Sequence, residues 1–343
     1  MKALVLHEWG APLSLEEVPD PRPGPHEVVL KVHANAPDQL DVTVRSGAIP
    51  GHLPLILGHE IAGEIVELGS AVENWKIGDR VVPYTYLTCG DCSFCRMGRE
   101  TLCDNLKGYV GVHSDGGYAE FVSVPARNLV SIPDGVSYQN ATTIPNAIAT
   151  PLRAIQDRAN VQAGDDVVIV GACGGVGIHG VQIANRCGAR VIAVDIDDGR
   201  LAEARRLGAD LTVNAKTQDV AAVVRDFTGG KGADAVLEFV ATDATLQSSF
   251  DCLAKTGRLV LVGAHPGAVF APDPIRFVME EVIVTGSRHV NRAELAEAAD
   301  WLAKGWIEPI VSGTYLLAEG EAALTAVAEH RVFGRGVILP HQK

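Results

Sequence analysis

Between Gly164 and Asp195 the chain reads GDDVVIVGACGGVGIHGVQIANRCGARVIAVD, a pattern that few folds accommodate. The β-branched run Val167–Val170 ends in a glycine-rich turn, Gly171-Ala-Cys-Gly174-Gly175-Val176-Gly177. Val181, Ile183 and Ala184 follow at helical spacing, and a second apolar run, Val191–Val194, stops on Asp195. Strand, tight turn, helix and strand in that order predict a βαβ unit that binds a dinucleotide. Glycines let the backbone approach a pyrophosphate without an intervening Cβ, and the N–H groups and dipole of the helix start hold the anion. Gly171, Gly174, Gly175, Val176 and Gly177 are therefore candidate cofactor-binding residues. An acid about 20 residues past the turn accepts hydrogen bonds from the ribose, and Asp195 stands there. Its charge, with those of Asp197 and Asp198, repels a 2′-phosphate and favours NAD(H), whereas Arg200 is the one nearby cation suited to NADP(H).

With 343 residues the chain has the length of two domains, each able to bury a core. A formal net charge of −13 repels nucleic-acid backbones and anionic lipid, so a small-molecule partner is expected and neither nucleic acid nor membrane is. The opening MKALVLHEWG has too short an apolar run for a secretion signal, and no later run is long enough to span a bilayer, so a cytoplasmic protein is expected. Of seven cysteines, four lie in one tight cluster, while Cys173, Cys187 and Cys252 fall in elements expected to be buried. An odd count without a secretion signal points to reduced thiols and a metal site.

Lys2–Leu6 and Val28–Ala34 carry short β-rich runs, joined through Pro19, Pro21, Pro23 and Pro25, a density that excludes helix. Leu57–Gly69 alternates small or apolar residues with polar ones and is followed by Gly78-Asp-Arg-Val-Val, which together predict a small, mostly antiparallel barrel. From about Asn146 strand and helix periods alternate, with strands at Val167–Val170, Val191–Asp195, Leu211–Asn214, Ala235–Phe239, Leu259–Gly263 and Val282–Thr285 and helices such as Gly199–Leu207 and Thr245–Leu253. Six parallel strands with helical crossovers make a doubly wound sheet. The helix Arg292–Lys304 and the strand Val337–Leu339 leave that repeat. The expected organisation is a barrel domain at 1–147 with a metal lobe at 89–103, a nucleotide domain at 148–285, a return to the first domain at 286–343, and a cleft between the two.

Cys89, Cys92, Cys95 and Cys103 are spaced C-x2-C-x2-C-x7-C. Four thiolates on a short irregular loop close a tetrahedron around Zn²⁺ and leave no coordination position open, which makes the site structural.

The chain resembles the zinc-containing alcohol dehydrogenase family of medium-chain dehydrogenases/reductases over nearly its whole length. The resemblance rests on Gly58-His59-Glu60, Gly78-Asp79-Arg80-Val81-Val82, the four-cysteine lobe, Asp115-Gly-Gly-Tyr-Ala-Glu120, the glycine turn and Gly334-Arg335. It implies an α/β protein, a GroES-like β-barrel catalytic domain plus a Rossmann doubly wound parallel sheet. It also implies NAD(H), hydride transfer between an alcohol and an aldehyde or ketone, and a homodimer or homotetramer. Val240 and Arg335 match positions that contact the cofactor, the latter its phosphates.

At the catalytic centre the residues depart from the family pattern. Asp38 stands where the first zinc ligand is usually cysteine, His59 and its neighbour Glu60 are present, and Asp41 matches the carboxylate that orients the ligand histidine. Asn146 stands at the third ligand position, and Leu40 replaces the hydroxyl that relays the alcohol proton. That proton would then pass through water, Thr43, a ribose hydroxyl or His52. Ile49, His52, Thr85 and Tyr118 are candidate pocket walls. Two readings follow: Asp38, His59 and Glu60, with or without Asn146, hold a catalytic Zn²⁺, or the chain is an enoyl- or quinone-type reductase that keeps only the structural zinc. A non-catalytic NAD(H)-binding protein is the third.

Overall fold

Strand Asp166–Val170, buried at all five positions, is the hub of one of two compact units into which the chain divides in the computed structural model, which describes residues 1–49 and 51–342. Three of its residues are β-branched valines, which suit a strand covered on both faces. This unit comprises Ala147–His289 and Trp306–Glu308. Its six-stranded sheet has the order Leu211–Asn214, Arg190–Asp195, Asp166–Val170, Ala233–Glu238, Leu253–Leu261 and Ile283–Gly286, with every pair parallel. The chain winds outward in both directions from the hub strand, so the sheet's switch point lies beside Gly171, the position where open α/β sheets bind ligands. Val168, Ile192, Val213, Val236, Phe250 and Leu259 form its core.

Element ends differ modestly from the sequence pattern. The strand expected at Leu259–Gly263 already begins at Leu253, which pairs with Ala233 before a register shift. The expected return at 286 falls at Val290, and Trp306–Glu308 cluster with the nucleotide unit. The cause is specific. Gln182 exchanges two hydrogen bonds with the Glu308 backbone, at 3.0 and 2.8 Å, Arg206 forms a two-point pair with the Glu308 carboxylate, and the Arg186 guanidinium lies 4.3 Å over the Trp306 ring.

The other unit comprises Met1–Asn146, Val290–Gly305 and Pro309–Lys343. Its larger sheet has the order Val311–Leu316, Arg335–Leu339, Glu27–Ala36, Glu60–Leu68, Arg80–Pro83 and Leu129–Ser131, and Phe121–Pro125 also pairs with Glu27–Ala36. All pairs are antiparallel except the first. A small sheet joins Lys2–Leu6 to Ser14–Glu17 and Leu55–Ile56. One core, around Val28, Leu30, Ile61, Ile65 and Val122, fills the large sheet; a second, around Leu4, Leu6, Leu55, Leu57 and Tyr118, lies under the small one.

Candidate active site

Helix Gln39–Arg45 starts with a reciprocal cap that also delivers two carboxylates. Asp38 Oδ1 accepts hydrogen bonds from the Leu40 and Asp41 backbone N–H groups, at 2.7 and 3.4 Å, and Asp41 Oδ2 accepts from Asp38 N at 3.0 Å. Both acids thus satisfy orphan N–H groups at the positive end of the helix dipole. Asp38 Oδ2 is left facing the site.

Strand Glu60–Leu68 starts at Glu60, with His59 immediately before it. Asp41 Oδ1 lies 3.2 Å from His59 Nδ1, and the Tyr118 hydroxyl donates to Asp41 Oδ2 at 3.0 Å. His59 Nε2 is buried without a hydrogen-bond partner and lies 3.6 Å from Asp38 Oδ2. Gly58, at φ +99°, is required here. A Cβ there would stand 2.4 Å from Asn35 Nδ2 and 2.5 Å from the Tyr118 ring, so the Gly-His-Glu and Asp-Gly-Gly-Tyr motifs are two halves of one packing arrangement.

Glu60 and Arg335 form a buried two-point pair at 2.8 and 2.7 Å, and the same guanidinium lies 3.8 Å from Asp38 Oδ2. Arg335, expected on the cofactor phosphates, is paired here with this carboxylate, because the final strand places it beside Glu60. Asn146 Nδ2 donates to Asp38 Oδ2 at 2.7 Å, which joins the third expected ligand position to the cluster. Burial opposes charge on every one of these groups, and pairing decides the outcome. Burial raises the Glu60 pKa and Arg335 offsets only part of it. For Asp38 the burial penalty is outweighed by His59 and Arg335, which hold its carboxyl well below the usual carboxylate range. For His59 it is outweighed by Asp38 and Asp41, which raise the imidazole well above its ordinary value. A metal arriving there displaces a proton.

Whether these residues suit a metal is answered by their donor atoms. Asp38, His59 and Glu60 each offer one within 4.8 Å of the others. His59 Nε2, with no hydrogen bond of its own and a carboxylate behind Nδ1, is the arrangement of a ligand histidine, and carboxylate with imidazole is an accepted zinc donor set. Each carboxylate oxygen of Glu60 keeps a second lone pair beyond its Arg335 bond. The set fits.

The expected pocket walls divide. Tyr118 is fully buried and bonded to Asp41, so it is part of the site's support and no wall; Thr85 is buried too, and Ile49 packs against the core under the small sheet. His52 is exposed. Leu40 also packs on that core and has no proton to give, while Thr43 commits its hydroxyl to Gln39 O at 2.8 Å.

In the nucleotide unit, Gly171 takes φ +74°, and a Cβ on it would meet Val240 Cγ2 at 2.8 Å. Gly177 is pressed against Gly171 O, at 2.1 Å for an added Cβ, whereas Gly174 would meet nothing nearer than 3.4 Å. The chain itself therefore leaves room for a side chain at Gly174, and a closely approaching pyrophosphate would use that room. Asp195 ends its strand with Oδ2 accepting from Cys173 N at 2.8 Å and Oδ1 from Ile196 N at 2.7 Å, which ties it to the turn. Arg200 Nε lies 3.9 Å from Asp197 Oδ2, so its charge is countered locally. Two supports had no signal in the periodicity: His179 Nδ1 holds Gly175 O at 2.8 Å, and Glu238 Oε1 accepts from Val240 N and Ala241 N at 2.7 and 2.9 Å.

The lobe cysteines converge as expected of a zinc site. All four are unbridged, with Sγ···Sγ distances of 3.9 Å for Cys89–Cys95 and Cys92–Cys103 and 3.5 Å for Cys103–Cys89. A tetrahedron with zinc–sulfur bonds of about 2.3 Å has edges of about 3.8 Å. The backbone N–H groups of Asp91 and Cys92 bring the Cys89 thiol down to about 6, whereas burial pushes Cys95 up to about 12.

Residues 24–134 match the model of the alcohol dehydrogenase GroES-like domain and residues 175–304 that of zinc-binding dehydrogenase. The NAD-dependent alcohol dehydrogenase of Sulfolobus acidocaldarius is 35% identical, over 98% of this chain and 99% of that protein. Among solved structures, AibC is similar with a TM-score of 0.95 and 36% identity, covering 100% of this chain and 96% of that one. An NAD-dependent alcohol dehydrogenase reaches 0.94 and 33%, covering 99% and 100%.

Proposed function

The chain belongs to the zinc-containing alcohol dehydrogenase family of medium-chain dehydrogenases/reductases, and from that premise we propose that Asp38, His59 and Glu60 hold a catalytic zinc in addition to the structural one in the cysteine lobe. It is an NAD-dependent oxidoreductase of the alcohol dehydrogenase type. The observation that carries the catalytic-metal reading is the buried Nε2 of His59, which has no hydrogen-bond partner and faces Asp38 Oδ2 at 3.6 Å.

When bound, zinc supplies Lewis-acid polarisation of the carbonyl oxygen and NAD(H) the hydride or its acceptor. The protein's own work is orientation. Asp41 fixes His59, Asn146 and the helix cap fix Asp38, and Arg335 fixes Glu60. Leu40 has no proton to pass on and Thr43 has its hydroxyl engaged with Gln39 O, so the alcohol proton would leave through His52, a ribose hydroxyl of the bound cofactor or water. Gly171, Gly174, Gly175, Val176 and Gly177 receive the pyrophosphate at the start of helix Gly177–Arg186, with Val240 beside Gly171. Asp195 takes the ribose, and Arg200, countered by Asp197, does not recruit a 2′-phosphate.

The proposal includes a homodimer or homotetramer. The edge strand Ile283–Gly286 and helix Pro274–Glu280 expose Ile275, Val278, Met279 and Ile283, at 65, 77, 72 and 52%, and an apolar sheet edge favours pairing with a second copy. It also includes a place in the cytoplasm, supported by seven free cysteines; among the described residues no helix is long and apolar enough to cross a membrane.

The test is an assay of zinc-loaded and chelator-treated enzyme with NAD⁺ plus alcohols and with NADH plus aldehydes and enones. Alcohol and aldehyde turnover that vanishes on chelation supports the reading. Enone reduction that survives chelation selects the catalytic-zinc-free reductase.

A further inference from the structure

The Tyr118 hydroxyl takes no part in the chemistry described so far, yet its placement is strongly constrained. The ring is fully buried, Tyr118 N donates to Leu57 O at 2.9 Å, and Leu4 N donates to Tyr118 O at 2.8 Å. The ring occupies the space that a Cβ at Gly58 would need, so the residue before His59 is glycine partly to admit it. Its hydroxyl meets Asp41 Oδ2, which also accepts from Asp38 N, while the other oxygen of that carboxylate faces His59 Nδ1. With two donors on Oδ2, the Asp41 carboxylate cannot rotate without leaving a buried donor unmatched.

We propose that Tyr118 is a positioning residue whose hydroxyl locks the Asp41 carboxylate, so that the single ring proton of metal-bound His59 stays on Nδ1 and Nε2 remains the lone-pair donor to the ion. The inference deepens the catalytic-metal reading and rests on it. Burial beside Asp41 raises the phenol pKa well above its ordinary value, so the hydroxyl keeps its proton to donate. Carboxylates behind ligand histidines tune metal affinity; here the control extends one residue further, to a group that touches neither substrate nor ion.

The experiment is zinc titration of full-length wild type, Tyr118→Phe, Asp41→Asn and the double variant against a chromophoric chelator, with total zinc per chain counted for each. The phenylalanine ring keeps the packing. Expected is a fall of about tenfold or more in affinity at the second site for Tyr118→Phe, within the range for supporting partners of ligand histidines, while the cysteine-lobe zinc stays bound. Little further loss should follow when Tyr118→Phe is added to Asp41→Asn, because the two act through one chain. A merely structural role would lower the melting temperature and leave the second-site affinity alone. Wild-type affinity in Tyr118→Phe, or losses that add fully in the double variant, overturns the positioning role. A wild type that binds one zinc overturns the metal reading and this inference with it, an outcome distinct from the other two.

Discussion

Glu60 and Arg335, 275 residues apart in sequence, meet in a two-point ion pair from which solvent is almost wholly excluded. The pair couples the last strand of the chain to the start of the strand that directly follows His59. Its geometry also decides what each member is free to do: the arginine is engaged, and the glutamate reaches a metal only with its remaining lone pairs.

Removing one side of such a pair strands the other. Arg335→Met is expected to cost about 3–5 kcal/mol of stability, read by denaturant unfolding. Glu60→Leu with Arg335→Met together should recover much of that loss, because no charge is then left buried alone. Equal stability of Arg335→Met and wild type contradicts this account.

Leu40 packs against the core instead of relaying a proton. Leu40→Ser is expected to raise kcat for alcohol oxidation by at least several-fold, with general acid–base contributions of about 10²–10⁴ as the ceiling, and to leave the cofactor KM nearly unchanged. Unchanged kcat would show that proton transfer does not limit the reaction.

A pH dependence follows from two histidines away from the catalytic cluster. His33 stacks on Tyr138 with centroids 4.1 Å apart and lies 6.2 Å from His341. Burial, with Lys31, His341 and Arg80, holds His33 below its ordinary 6.5 against the pull of Glu64, and burial likewise lowers His341. A histidine whose pKa is lower in the folded than in the unfolded state binds fewer protons folded. Its stabilisation is therefore full above the unfolded value and lost as pH falls below it. The melting temperature should drop from about pH 7 to about pH 5 by less in His33→Gln than in wild type. Parallel curves for the two proteins would remove His33 as the cause.

The exposed edge strand makes the assembly testable. Light scattering should find wild type as a dimer or tetramer and Val278→Glu with Ile283→Lys as a monomer that keeps its melting transition. A monomeric wild type, or an unaffected oligomer, contradicts the proposed surface.

How much of this was legible in the residues depends on sequence distance. The glycine turn with Asp195 and the cysteine lobe were readable because their parts lie within tens of residues and each residue type answers a local need. His59 and Asp41 were readable as matches to a family pattern and Asp38 as a departure from it, but the reason Asp38 is well held, a reciprocal helix cap, appears only with the backbone. The Asn146–Asp38 and Tyr118–Asp41 bonds span 108 and 77 residues and depend on tertiary packing that periodicity does not specify. The same holds for Arg335. The family position suggested phosphate, and its pairing with Glu60 follows from the register of its strand, which the sequence pattern does not show. Trp306–Glu308 join the nucleotide unit through Gln182, Arg186 and Arg206, contacts with no pattern in the sequence.

Zinc content per chain decides whether Asp38, His59 and Glu60 hold an ion. Protein purified without chelator and measured by mass spectrometry under native conditions should carry two zinc ions, one removed by mild chelation together with alcohol turnover and one retained by the cysteine lobe. A single, tightly held zinc with alcohol turnover intact would show that these three residues hold none.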